Sequence, residues 1–211
     1  MKWIKYIWIL IVIYILCSAR TCTEDQESIA KSEAIYTKNL KETVKQVFTS
    51  DSLPEHLLRA YEVSAKEKLN DFADYIKVIS DTSVDRSFRM HSAELVRNLF
   101  ISGEINLSGW CKTYPKSGLH TLEELLEYNL LKGMSGWIKP VQMDISEPFV
   151  MKNDSTFTGK MIFNCKYLPW KSNDTSEISD KISVNIYLVK KLKSFGTDQY
   201  RVWDVYLGDI N

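Results

Sequence analysis

Apolar residues in this chain change their spacing after Gly103, and that change limits the fold more than any other feature. Before it, Leu57, Leu58, Tyr61, Ala65, Leu69, Phe72, Ala73 and Ile76 recur at the spacing that lines up one face of a helix. Beyond it, Phe157, Met161, Phe163, Cys165 and Tyr167 alternate with Thr158, Lys160, Asn164 and Lys166, the period of a half-buried strand. Helices gathered at one end and strands at the other predict an α+β chain.

The helical part divides into three. Ile29, Tyr36, Leu40, Val44, Val47 and Phe48 mark a first helix. A second starts at Ser52 with Pro54 in its first turn, where a missing N–H costs nothing. Asp81 or Ser83 is positioned to cap a third, with Val84, Phe88, Leu95, Val96, Leu99 and Phe100 on its buried side. Ile105, Leu107 and Gly109 to Trp110 read as a short strand. Thr121 and Glu124 form a capping box at the head of one more helix, with Leu122, Leu125, Leu126 and Leu130 as its apolar face and Gly133 at its exit.

Three further segments read as strands. Trp137 to Val150 contains Pro140, which an edge or a bulge accommodates. Ile182, Val184, Ile186 and Leu188 alternate with polar neighbours, and Tyr200 to Leu207 carries Val202, Trp203, Val205 and Leu207 around Asp204. Polar residues from Pro169 to Asp180 read as a long hairpin loop. Consecutive strands joined in this way predict an antiparallel sheet.

The N-terminus reads as an export signal. Lys2 and Lys5 precede an unbroken apolar run from Tyr6 to Cys17, and Ser18 and Ala19 follow as small residues. That run is shorter than the ~17–25 residues a membrane-spanning helix needs, which favours a cleaved signal over a retained anchor. Cys17 and Cys22 are lipidation candidates, since Cys22 precedes an acidic stretch, Glu24 to Glu27, of the kind found behind the acylated cysteine of surface lipoproteins. The location follows as exported: periplasm or an outer-membrane or cell-surface lipoprotein, with an inner-membrane anchor as the alternative. The 27 basic and 27 acidic side chains cancel, and removing residues 1–19 takes away two lysines and no acid. A mildly acidic exported chain lacks the basic stripe that nucleic-acid binding requires.

Cys111 and Cys165 remain as a disulfide candidate in an oxidising compartment. Closing that loop would restrain the unfolded chain by roughly 4 kcal/mol. The alternative is two small buried hydrophobes. No metal-ligand spacing, phosphate loop or Ser-His-Asp order is present, so no metal and no cofactor are expected. His56 and His91 fall on helices and His120 at a helix start, positions that suit surface or capping roles.

Helices, an early strand, a short helix and four strands ending in Tyr200, Val202, Trp203, Asp204 and Val205 resemble the NTF2-like, or cystatin-like, superfamily over residues 83–211. The resemblance implies N-terminal helices packed on a curved antiparallel sheet of about four to five strands, a cone with a pocket at its open end. Phe163, Cys165, Ile186 and Trp203 are then the pocket-lining candidates. Residues 20–82 depart from the pattern as an extra helical hairpin, giving three parts: 1–19, 20–82 and 83–211.

Enzymes of that superfamily, such as ketosteroid isomerase and scytalone dehydratase, place an acid in the pocket. Asp204 is the matching candidate here, with a raised pKa if buried among aromatics. Period two predicts instead that it faces solvent, opposite Trp203 and Val205. The primary expectation is a non-enzymatic, exported or membrane-tethered protein that binds a protein partner or a small apolar ligand. One alternative resembles the periplasmic NTF2-like subunit of type IV secretion machines, and another is a pocket enzyme of the isomerase or dehydratase type.

Overall fold

The computed structural model describes residues 53–114, 118–170, 176–196 and 198–211, together with Ile35. The chain divides into two compact units, Met1–Phe48 and Thr49–Asn211. The export signal, Cys17, Cys22 and the first expected helix lie outside the described residues, Ile35 excepted. Within the second unit the order is α1 (Glu55–Ser80), α2 (Arg86–Arg97), α3 (Ser108–Cys111), α4 (Leu122–Lys132), β1 (Gly136–Asn153), β2 (Thr156–Pro169), β3 (Ser176–Phe195) and β4 (Asp198–Ile210). Among the described residues no helix is long and apolar enough to cross a membrane.

The four strands form one antiparallel sheet in sequence order, β1-β2-β3-β4. The α+β class read from the change of period is therefore present, with helices packed on an antiparallel sheet. Pro140 sits on the edge strand opposite Cys165, where its missing N–H breaks no inner ladder. Just beyond it the β1–β2 register shifts, and Gln142 takes a positive φ of 51°. β3 runs through Ser176–Asp180, residues read from their polarity as part of a loop.

Helix α1, assigned by sequence to the 20–82 hairpin, supplies Ala65, Leu69, Phe72, Ala73, Ile76 and Ile79 to the core. It lies along β1 and also touches β4. Phe72 packs edge-on against Trp110 (4.7 Å) and Phe100 (5.3 Å), and Trp110 reaches Phe163 on the sheet (6.3 Å). A bridge pairs Phe100 with Leu207 in parallel, so the segment after α2 lies along the open edge of β4.

Three local expectations are corrected. The cap of α2 is Asp85, whose carboxylate accepts from Ser87 N–H at 2.8 Å, while Asp81 closes the preceding turn on Ser83. Ile105 and Leu107 are buried, yet they form no strand. Asn106 makes a single bridge to Thr121, its side chain accepts from Ser108 N–H, and the chain turns into α3. The inner face of α2 also differs in part from the one expected: Val96 and, beyond the helix, Leu99 and Phe100 are buried as expected, but Phe88 is 68% exposed while Arg89, Ser92 and Ala93 point inward.

Arg89 explains the difference at Phe88. Its guanidinium donates to Ile79 O (2.7 Å), Asn129 O (2.8 Å) and Leu130 O (3.0 Å), carbonyls in the last turns of α1 and α4, of which Asn129 O also accepts from Gly133 N–H. A cation suits two converging helix C-termini because the dipoles present negative charge there. Beside it, Asn129 links the same ends: its Oδ1 lies 2.6 Å from Ser80 Oγ, and its Nδ2 donates to Leu125 O and Tyr114. Gly133 closes α4 at φ 66°, and a Cβ there would meet Thr82 and Ser80 O at 2.5 and 2.7 Å. The capping box at Thr121 and Glu124 forms as expected.

Candidate functional site

Asp204 lies in β4 opposite Val189, with Trp203 and Val205 turned into the core on either side of it. Period two directs its carboxylate to the other face, as the alternation predicts, but that face is partly covered. Lys193 from β3 approaches Oδ2 at 2.9 Å, and Lys68 from α1 approaches Oδ1 at 3.5 Å. Tyr206, one pleat further along β4, donates its hydroxyl to Oδ2 at 2.9 Å. The side chain keeps only 21% of its exposure.

Burial alone would raise the pKa of this carboxyl. The Lys193 ammonium, the Lys68 charge and the Tyr206 hydroxyl outweigh it and hold Asp204 below the usual carboxylate range. The raised value expected for a buried acid is thus reversed, because two ammonium groups and a phenol hydroxyl favour its charged form. Tyr206 is pushed up by burial and then by its bond to Asp204, and Tyr61 by burial and then by the Asp204 charge. Two ammonium groups also approach the Tyr206 ring, Lys191 at 3.8 Å and Lys68 at 5.1 Å from its centre. At neutral pH the cluster therefore holds a fixed carboxylate, neutral phenols and three lysines.

The pocket-lining candidates lie elsewhere. Phe163, Cys165, Ile186 and Trp203 are all 3% exposed or less and belong to the continuous core. The cavities along the sheet have other walls: one of about 640 Å³ is lined by Met151, Asp154, Ser155, Lys190, Leu192 and Arg201. Among the remaining tryptophans, Trp110 is core, Trp137 lies 4.2 Å beneath the Lys77 ammonium, and Trp170 donates to Met134 O.

Cys111 and Cys165 are free, buried thiols, not the disulfide weighed for them. Cys111 lies in α3 and Cys165 inside β2. Burial pushes both thiols up to about 12, with Glu124 adding to the effect at Cys111. Neither is primed as a nucleophile. His91 sits 3.6 Å from Glu94 on the exposed side of α2, and His120 donates its backbone N–H to Glu124. Among the described residues no group of three or more His, Cys, Asp or Glu side chains is arranged to hold a metal.

Sequence reasoning missed Lys68, Lys193 and Tyr206 as the partners of Asp204. Only Tyr206 carried a local signal, since residues two apart share a strand face. Protein-family models give no match to the chain, and no curated protein matches it.

Proposed function

We propose that the chain is an exported, non-enzymatic binding protein, membrane-tethered or lipidated at its N-terminus, whose folded part is an NTF2-like domain that engages a protein partner. The observation that carries this reading is the state of Asp204: an acid already bound by two lysines and a tyrosine is suited to ordering charge at a surface. An isomerase or dehydratase needs a carboxyl that gains and loses a proton near the working pH. Burial of Phe163, Cys165, Ile186 and Trp203 in the core directs recognition to the outside of the domain and favours a protein over a small apolar ligand. The approach of α1 to both edge strands supports a sheet curved about that helix, as the cone requires.

The full chain, offered a panel of small carbonyl and hydroxy compounds, is expected to turn over none of them, and Asp204→Asn to behave like the parent. Turnover that disappears in Asp204→Asn would overturn the reading. Mass spectrometry of the protein from its host gives the N-terminus: Arg20 for a cleaved signal, acylated Cys17 or Cys22 for a lipoprotein, intact Met1 for an anchor.

A further inference from the structure

The two central strands end at different heights. β2 begins at Thr156, which pairs with Val189, and its last contact with β3 comes from the preceding turn, where Lys190 N–H donates to Ser155 O at 2.9 Å. β3 continues past that point, paired with β4 in unbroken register from Leu188 to Phe195. Lys190 N–H points toward β2, so period two directs the N–H and C=O of Leu192 and Ser194 the same way. Among the described residues, no strand lies along that side of β3 beyond Lys190.

The side chains at this step are distinctive. The cavity of about 640 Å³ opens here, with Met151, Asp154 and Ser155 on the β1–β2 side and Lys190, Leu192 and Arg201 on the ribbon. Two of its apolar walls face solvent: Met151 is 47% and Leu192 is 61% exposed. Lys190 and Leu192 share one face of the ribbon with Arg201, while Lys191 and Lys193 lie on the other. Both faces therefore present cations, in a chain with no net positive charge. Lysines on an edge deter neutral strands from adding, and the same charges select for an acidic one.

We propose that β3 from Lys190 to Ser194 is a docking edge for an extended, acidic segment of a partner protein, which adds as a strand beside Leu192. This deepens the partner-binding reading and rests on it. Leu192 and Ser194 supply backbone donors and acceptors, Met151 and Leu192 take apolar side chains, and Lys191 and Arg201 face the partner's carboxylates. Main-chain pairing gives affinity in such additions, and the alternating side chains give selectivity.

The test uses the full chain in detergent and a fluorescein-labelled octapeptide alternating glutamate with valine or threonine. Fluorescence anisotropy is expected to report saturable binding that weakens as salt is raised. A peptide with lysine for glutamate should not bind, and N-methylation of alternate amides should weaken binding about tenfold or more. Leu192→Pro removes the outward N–H, and Arg201→Glu reverses an exposed charge; each should weaken binding about tenfold, with an unchanged melting curve for Arg201→Glu. Equal binding of acidic and basic peptides, indifference to N-methylation, or indifference to both variants overturns the proposal. So does binding to phosphatidylglycerol vesicles in place of the peptide, or a dimer in sedimentation that Leu192→Pro dissolves. If the peptide is ignored and no substrate is turned over, this edge is excluded while the partner-binding reading stands.

Discussion

Arg89 and Asp204 are both charges drawn toward the interior of one domain, and they are satisfied in opposite ways. Arg89 is 8% exposed and meets three backbone carbonyls at the ends of two helices. Asp204 keeps 21% of its side chain exposed and meets mobile side-chain groups, of which Lys193 is 46% exposed. Asn129 O keeps the Gly133 N–H as a second partner, but losing the cation leaves Ile79 O and Leu130 O without their side-chain donor at the ends of two helices. Lysines beside Asp204 turn back to water when the acid is removed. The first cluster is a fixture of the scaffold, whereas the second is adjustable.

Mutation at the two clusters should separate them. Arg89→Met is expected to cost about 3 kcal/mol in urea denaturation, since Ile79 O and Leu130 O lose their side-chain donor and Asn129 O keeps only the Gly133 N–H. A loss below about 1 kcal/mol would mean that water reaches those carbonyls, and the contrast would collapse. Asn129→Leu should cost about 2 kcal/mol by removing the buried amide that links Tyr114, Ser80 and Leu125 O, although Ser80 keeps its bond to Ile76 O. Asp204→Asn should cost only about 1 kcal/mol at neutral pH, and its effect should depend on pH. The folded pKa of Asp204 lies below its unfolded value, so the stability it contributes is complete above the ordinary range near ~4 and is lost as pH falls through the folded value. Parent and variant should differ at pH 6 and converge in acid; a constant gap would show that the carboxylate charge is irrelevant. Lys193→Ala should cost about 0.5 kcal/mol or less, and the difference should vanish in molar salt.

The sequence displayed the elements whose burial follows a simple period. The stripe of α1, the capping box of α4 and the alternation in β2 and β3 all form as their spacing predicts. It misled where a polar side chain takes an inward position. Val96 is buried in α2 as its spacing predicts, but Phe88 is not, because the first turn directs Arg89 inward to the carbonyls of Ile79 and Asn129. Hydrophobicity gives no hint of that, since the acceptors are backbone atoms of distant helices. Ser176–Asp180 read as loop because strand pairing there comes from register with β2, not from composition. Asp204 was found by its setting among aromatics, yet its state was not. Lys68 lies 136 residues earlier in the chain, and only the packed fold brings it within 3.5 Å.

The order of the strands has a consequence for how the molecule is made. Each strand pairs only with its neighbour in sequence, so the sheet is assembled from hairpins that close as they emerge during synthesis. α1, with Leu69, Phe72 and Ile76 along one side, is completed well before the strands that cover it. The parallel bridge from Phe100 to Leu207 comes last, because it waits for nearly the whole chain. A nascent chain halted before β1 would thus carry an apolar helix without its sheet, the species that chaperones hold and that aggregates when they do not.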